Sequence, residues 1–172
     1  LNLLELKVGE RINYTGCMIV MRDAAQRRIE KLLMEGSNVP IDLEGKIVFY
    51  AGPTRTVDGR FAIGPTTSER MDKYLKMLFE LGVSATVGKG ERTETARKLC
   101  REYGRIYFVA PSGAAAALSE HVERLELLAF EDLGTEAVYE IRVRDFPLIV
   151  AIDCEGNDLF EFIKSANGGD RL

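Results

Sequence analysis

The 172-residue chain predicts an α/β fold, a mostly parallel sheet core with added antiparallel strands and helices on its faces. Three observations predict it. Short apolar runs alternate with segments of helical spacing from Ala25 onward. The run over 47–51 is apolar without interruption, as in a strand covered on both faces. Over 138–143, Ile141 and Val143 alternate with Glu140, Arg142 and Arg144, as in a strand with one wet face.

The opening reads as short strands over 3–6, 11–14 and 17–21, broken by Gly9 and Gly16. Ala25, Ile29, Leu32 and Leu33 then recur at helical spacing, with Gly36 placed to end the helix. After the strand over 47–51, residues 52–65 are rich in turn formers and predict a loop. A helix follows over about 67–81, with Met71, Leu75, Leu78 and Phe79 on one face and Gly82 at its end. The alternation continues with a strand over 83–87, a helix over 92–103, a strand over 106–110 and a short Ala-rich helix over 113–118. Apolar stretches over 125–130 and 148–152 complete the sheet, and a helix over 158–165 closes the chain. The length fits one domain over 1–172, with a polar frayed end over 166–172.

Composition narrows the function. Apolar residues make up 46% and charged residues 29%, the balance of a globular domain rather than a disordered one. A net charge of −4 argues against a nucleic-acid partner, which needs a basic face. No apolar run is long enough to span a membrane, and the start is too short and wrongly flanked for a signal peptide. A cytoplasmic protein is expected. Cys17, Cys100 and Cys154 are odd in number and far apart, so neither a disulfide framework nor a metal site follows from their spacing.

Three polar clusters fall where strands hand over to loops or helices, the usual ligand crevice of an α/β sheet. In Met21-Arg22-Asp23-Ala24-Ala25, either Asp23 caps the helix and Arg22 is solvated, or Arg22 faces a ligand. In Gly64-Pro65-Thr66-Thr67-Ser68-Glu69-Arg70, Thr66 and Glu69 have capping-box spacing. The same helix start equally suits a carboxylate, with Thr66 and Arg70 on one face. Gly88-Lys89-Gly90 is either a turn or a cation with close backbone approach to a small anion. It is not a P-loop, because Gly90 stands where Ser or Thr is needed. Ser112 lacks a nucleophile elbow and His121 is the single histidine, which argues against a Ser–His–Asp hydrolase.

These clusters, with Tyr50-Ala51-Gly52-Pro53-Thr54, Arg70-Met71-Asp72 and the run from Leu128-Ala129-Phe130-Glu131-Asp132 through Leu133-Gly134-Thr135-Glu136-Ala137, resemble the beta subunits of class I fumarases and L(+)-tartrate dehydratases. The motifs match in order from about residue 6 to 160. The resemblance implies a swivelling β/β/α domain and a hydro-lyase that interconverts fumarate and malate, or dehydrates L(+)-tartrate. It implies an alpha subunit whose three cysteines hold a [4Fe–4S] cluster, this chain supplying no metal ligand, and a dimer of alpha–beta pairs. In such enzymes the open iron acts as Lewis acid on the departing hydroxyl. Carried onto this sequence, Arg22, Arg70 and Lys89 are the substrate-binding cations and Thr66 is the proton acceptor. Asp23 and Gln26 are expected to contact substrate as well. Gln26 stands where many relatives have histidine, so a charged role is not carried over. Two readings of another class are a non-catalytic dicarboxylate-binding module and a subunit that only covers the cluster protein.

Overall fold

The computed structural model describes residues 2–55, 61–111 and 118–168. Strand β1 (Arg11–Met21) leads into helix α1 (Asp23–Met34) and then β2 (Ile47–Arg55), which turns back as β3 (Phe61–Pro65). A 3-10 turn over Glu69–Tyr74 runs directly into α2 (Leu75–Glu80). Then come β4 (Ala85–Gly88), α3 (Glu94–Tyr103), β5 (Ile106–Val109) and β6 (Val122–Ala129). A 3-10 turn over Glu131–Glu136 precedes β7 (Val138–Ile152), and α4 (Leu159–Gly168) follows it.

Strands β1, β2, β4 and β5 pair in parallel in that order. Antiparallel β3, β6 and β7 are added to them. Strand β7 pairs with both β5 and β1, so the path β1-β2-β4-β5-β7 closes on itself. The period of two then sorts side chains to the two faces of a ring. Met18, Val20, Phe49, Val87, Phe108 and Val150 form the interior cluster. Their neighbours Ile19, Met21, Val48, Tyr50 and Tyr107 face outward and pack against α1, α2 and α3. In β7 the inward set changes from Ile141 and Val143 to Phe146, Leu148 and Val150. The switch is made by a bulge opposite Tyr14 and Gly16, where Asp145 takes a φ of 49°.

Several expected boundaries shift for physical reasons. Residues 3–6 form a 3-10 turn over Leu3–Glu5, too short for a strand ladder. The two strands expected over 11–14 and 17–21 are one, because the ladder to β7 carries through Gly16. The loop expected over 52–65 is instead a β2–β3 hairpin whose tip, 56–60, lies outside the described residues. The helix expected over 67–81 is a 3-10 turn followed by six α-helical residues. The runs over 138–143 and 148–152 belong to one strand, β7. The Ala-rich helix over 113–118 lies outside the described residues except for Leu118. Helix α4 continues through Gly168, and 169–172 lie outside the described residues. Among the described residues no helix is long and apolar enough to cross a membrane.

Candidate active site

Two of the three polar clusters follow the carboxyl ends of the parallel strands β1 and β4, and the third follows β3, which returns antiparallel along β2 to the same edge of the ring. Arg22 is the residue before α1, and no side chain caps that helix. Asp23 therefore does not act as the cap. It is the first helical residue, where its charge meets the positive end of the helix dipole. Its carboxylate also takes Arg70 Nε at 3.1 Å from either oxygen.

Thr66 follows β3 and is held at both ends of its backbone. Its N–H donates to the Tyr50 carbonyl at 2.8 Å, and its own carbonyl accepts from Lys89 N at 3.2 Å. Ser68 N donates to the Lys89 carbonyl at 3.1 Å, which completes a short parallel bridge between the Thr66 and Lys89 segments. The Thr66 hydroxyl donates to the Tyr50 carbonyl at 3.1 Å. It does not cap the following turn, whose cap position falls to Ser68. The capping-box reading of Thr66 and Glu69 is thereby set aside. Lys89 is exposed and makes no ion pair with a described residue.

Arg22 lies over the β2 end. A Cβ at Gly52 would sit 3.1 Å from Arg22 Cδ and 3.5 Å from its Nη1, so glycine there leaves the guanidinium its room. Glu136 Oε1 stands 4.0 Å from Arg22 Nε, which makes no hydrogen bond with a described residue. Gln26, fully buried one turn along α1, donates from Nε2 to the Arg22 carbonyl and to Met71 Sδ, both at 3.3 Å. Its Oε1 has no partner among the described residues. Buried polar atoms without partners are unusual, and two of them fall on neighbouring turns of this edge. The structure thus brings Arg22, Asp23, Gln26, Thr66, Arg70 and Lys89 to one side of the sheet. Ser112 lies outside the described residues. His121 is a structural residue, its Nδ1 at 3.0 Å from the Arg144 carbonyl and its ring edge-on to Phe146.

Sequence reasoning missed two features. Glu136 belongs to a recognised motif but was not expected beside Arg22. A buried set of Tyr50, Ser68, Asp72, Thr86, Arg92 and Tyr107 underlies the edge. Burial pushes the Tyr50 and Tyr107 phenols up, so both stay neutral. Burial opposes the charge on Arg92, but Tyr50, Asp72 and Tyr107 more than offset it and keep the guanidinium protonated. The available signal was Asp72, a carboxylate three residues before Leu75 on an otherwise apolar face.

The family described as Fumarase C-terminus matches residues 2–163. The chain is 38% identical to the putative L(+)-tartrate dehydratase subunit beta of Methanocaldococcus jannaschii, over 91% of this chain and 85% of that protein. It is 34% identical to the L(+)-tartrate dehydratase subunit beta of Escherichia coli, over 92% of this chain and 81% of that one. It is also 34% identical to the aerobic class I fumarate hydratase of Salmonella typhimurium over 99% of this chain, but spans only 30% of that enzyme. The ordered motifs, the edge they build and these matches lead to one assignment: the chain belongs to the fumarase C-terminal family.

Proposed function

We propose that the chain is the beta part of an iron–sulfur hydro-lyase that hydrates fumarate to malate reversibly, acting together with an alpha part. The observation that supports this reading most is the collection of Arg22, Thr66, Arg70 and Lys89 at one sheet edge. Removing a proton next to a carboxylate builds negative charge on that carboxylate. Cations fixed around it therefore stabilise the transition state more than the ground state. Arg70 engages Asp23 through Nε, which fixes its plane and leaves both Nη groups for a carboxylate. Lys89 adds a point charge from the adjoining loop.

Thr66 is the proton acceptor in this reading. Its bond to the Tyr50 carbonyl stabilises the protonated hydroxyl, so acceptance requires the side chain first to give its own proton to solvent and turn toward the cations, which favour the alkoxide that then takes the substrate proton. The chain's own thiols do not fit the [4Fe–4S] cluster. Among the described residues no three His, Cys, Asp or Glu side chains converge as a metal site. Burial also pushes the Cys100 thiol up to about 12, where it packs in the core as a neutral side chain. In this reading the alpha part holds the cluster, and two alpha–beta pairs assemble as a dimer.

L(+)-tartrate dehydration is the second reading, favoured by the 38% identity to the M. jannaschii protein. The test is anaerobic reconstitution with an alpha-type partner, iron and sulfide, followed by assays of malate and L(+)-tartrate dehydration. Malate turnover is expected. Turnover of tartrate alone selects the second reading. Dicarboxylate binding without any turnover overturns both and leaves a binding module.

A further inference from the structure

Beneath the edge lies a buried ion pair that the proposed chemistry does not use. Arg92 is only 3% exposed and sits on the loop between β4 and α3. Its guanidinium is partnered on all three nitrogens. Nε meets Asp72 Oδ1, Nη1 donates to Thr86 Oγ1 at 3.0 Å, and Nη2 donates to the Tyr50 hydroxyl at 3.1 Å. The Tyr50 and Tyr107 rings flank it at 5.0 and 4.9 Å. The other Asp72 oxygen accepts from Thr93 N at 2.8 Å and from the Thr93 hydroxyl at 2.6 Å.

Stability alone is a poor reason for this arrangement, since well-packed apolar residues often replace a buried ion pair at no loss. The pair's connections supply a better one. Asp72 lies in the same 3-10 turn as Arg70. Arg92 and Thr93 lie on the loop that begins with Lys89. Tyr50, bound to Arg92 through its hydroxyl, holds Thr66 through its carbonyl. A second contact repeats the pattern: the Tyr107 hydroxyl is 2.8 Å from Ser68 Oγ and 2.8 Å from the Gly90 carbonyl. It therefore joins the residue two after Thr66 to the residue after Lys89.

We propose that Arg92 is a positioning residue, whose planar fork locks the segment that carries Thr66 and Arg70 to the loop bearing Lys89, with Tyr107 as a second clamp. The inference rests on the dicarboxylate reading, because gripping one small anion from two segments demands a fixed spacing of cations. Arg92→Lys keeps the charge but replaces a fork with a point, and it cannot serve Asp72, Thr86 and Tyr50 in one geometry. Tyr107→Phe deletes a single oxygen.

The experiment measures hydrogen–deuterium exchange on the full-length protein in its native assembly, with kcat and KM for malate and L(+)-tartrate measured alongside. In Arg92→Lys, exchange over 66–70 and 88–91 is expected to rise about 10-fold relative to β1. The fall in kcat/KM is expected to be about 10- to 100-fold, most of it in KM. Tyr107→Phe is expected to move the same segments less, and it carries the test if Arg92→Lys does not fold. Exchange that rises uniformly, β1 included, makes the network merely structural and overturns the proposal, as does unchanged exchange in the two segments. Local loosening in a protein whose wild type turns over neither substrate upholds the clamp and overturns the hydro-lyase reading.

Discussion

Phe49 and Tyr50 are sequence neighbours, both fully buried, and so are Tyr107 and Phe108. The two phenylalanines point into the ring, where they belong to one apolar cluster with Met18, Val20, Ile141 and Phe146. The two tyrosines point outward, and their hydroxyls reach Arg92 and Ser68. Equal burial thus serves two ends. Inside the ring, apolar burial is non-directional and sets stability. Outside it, hydrogen bonds with fixed geometry set where Thr66, Arg70 and Lys89 stand. Substitutions ordered from the ring interior to the edge should therefore lose progressively less stability while doing progressively more damage to catalysis.

The largest stability loss is expected at Phe146, which packs edge-on to Phe49 at 5.7 Å between ring centroids. Phe146→Ala should cost about 3–5 kcal/mol in urea unfolding. Well below its melting temperature the variant should keep wild-type kcat/KM in the assembled enzyme. A variant of normal stability and low activity would break the comparison at its interior end.

Gly88 lies at the boundary, the last residue of β4. A Cβ there would overlap Ser68 Oγ and approach Tyr50 Cδ2 to 3.1 Å. Gly88→Ala is expected to cost about 1–3 kcal/mol by overpacking. Because Ser68 must shift, kcat/KM should fall as well. A melting curve paired with steady-state kinetics separates the two effects, and a loss of stability alone would place Gly88 with the interior.

The interior was legible in the sequence because it follows a simple period. Ile47 to Ala51 and Ile106 to Ala110 announce buried strands by apolar content alone. Closure of the ring was not legible, since it depends on β7 pairing at both edges across the bulge at Asp145. At the edge, the candidate residues could be named because their motifs stand at strand ends. Their mutual placement could not, because it comes from backbone bonds such as Lys89 N to the Thr66 carbonyl. Arg92 left no pattern at all. A buried arginine reads like any solvated one until the carboxylate that neutralises it, here Asp72, is found in space.

Thr66→Ala removes one hydroxyl bond to a backbone carbonyl and is expected to cost about 0.5–1.5 kcal/mol of stability. If Thr66 accepts the proton, the same variant loses exchange of the substrate C3 proton with deuterated water while still binding substrate. Wild-type exchange in Thr66→Ala would remove the residue from the mechanism. Thr66→Ser keeps the hydroxyl and should retain most of the exchange rate.

The smallest stability effect belongs to Arg70, at the outer end of the comparison. Its side chain is 47% exposed and its one ion pair among the described residues is with Asp23, so Arg70→Ala should shift unfolding by about 1 kcal/mol or less. Catalysis should respond in the opposite sense. On the proposed dicarboxylate reading, the bound substrate would desolvate the guanidinium in the assembled enzyme, and removing one partner of a desolvated charge pair costs about 2–5 kcal/mol. That corresponds to a fall in kcat/KM of roughly 30- to several-thousand-fold. Arg70→Lys sharpens the point, because a lysine restores the charge but not two parallel bonds to a carboxylate, and it should recover only part of the loss. Urea titration and steady-state kinetics on the same preparations decide the matter. Near-normal kcat/KM in Arg70→Ala would make Arg70 an ordinary surface residue and confine the anion site to Arg22 and Lys89.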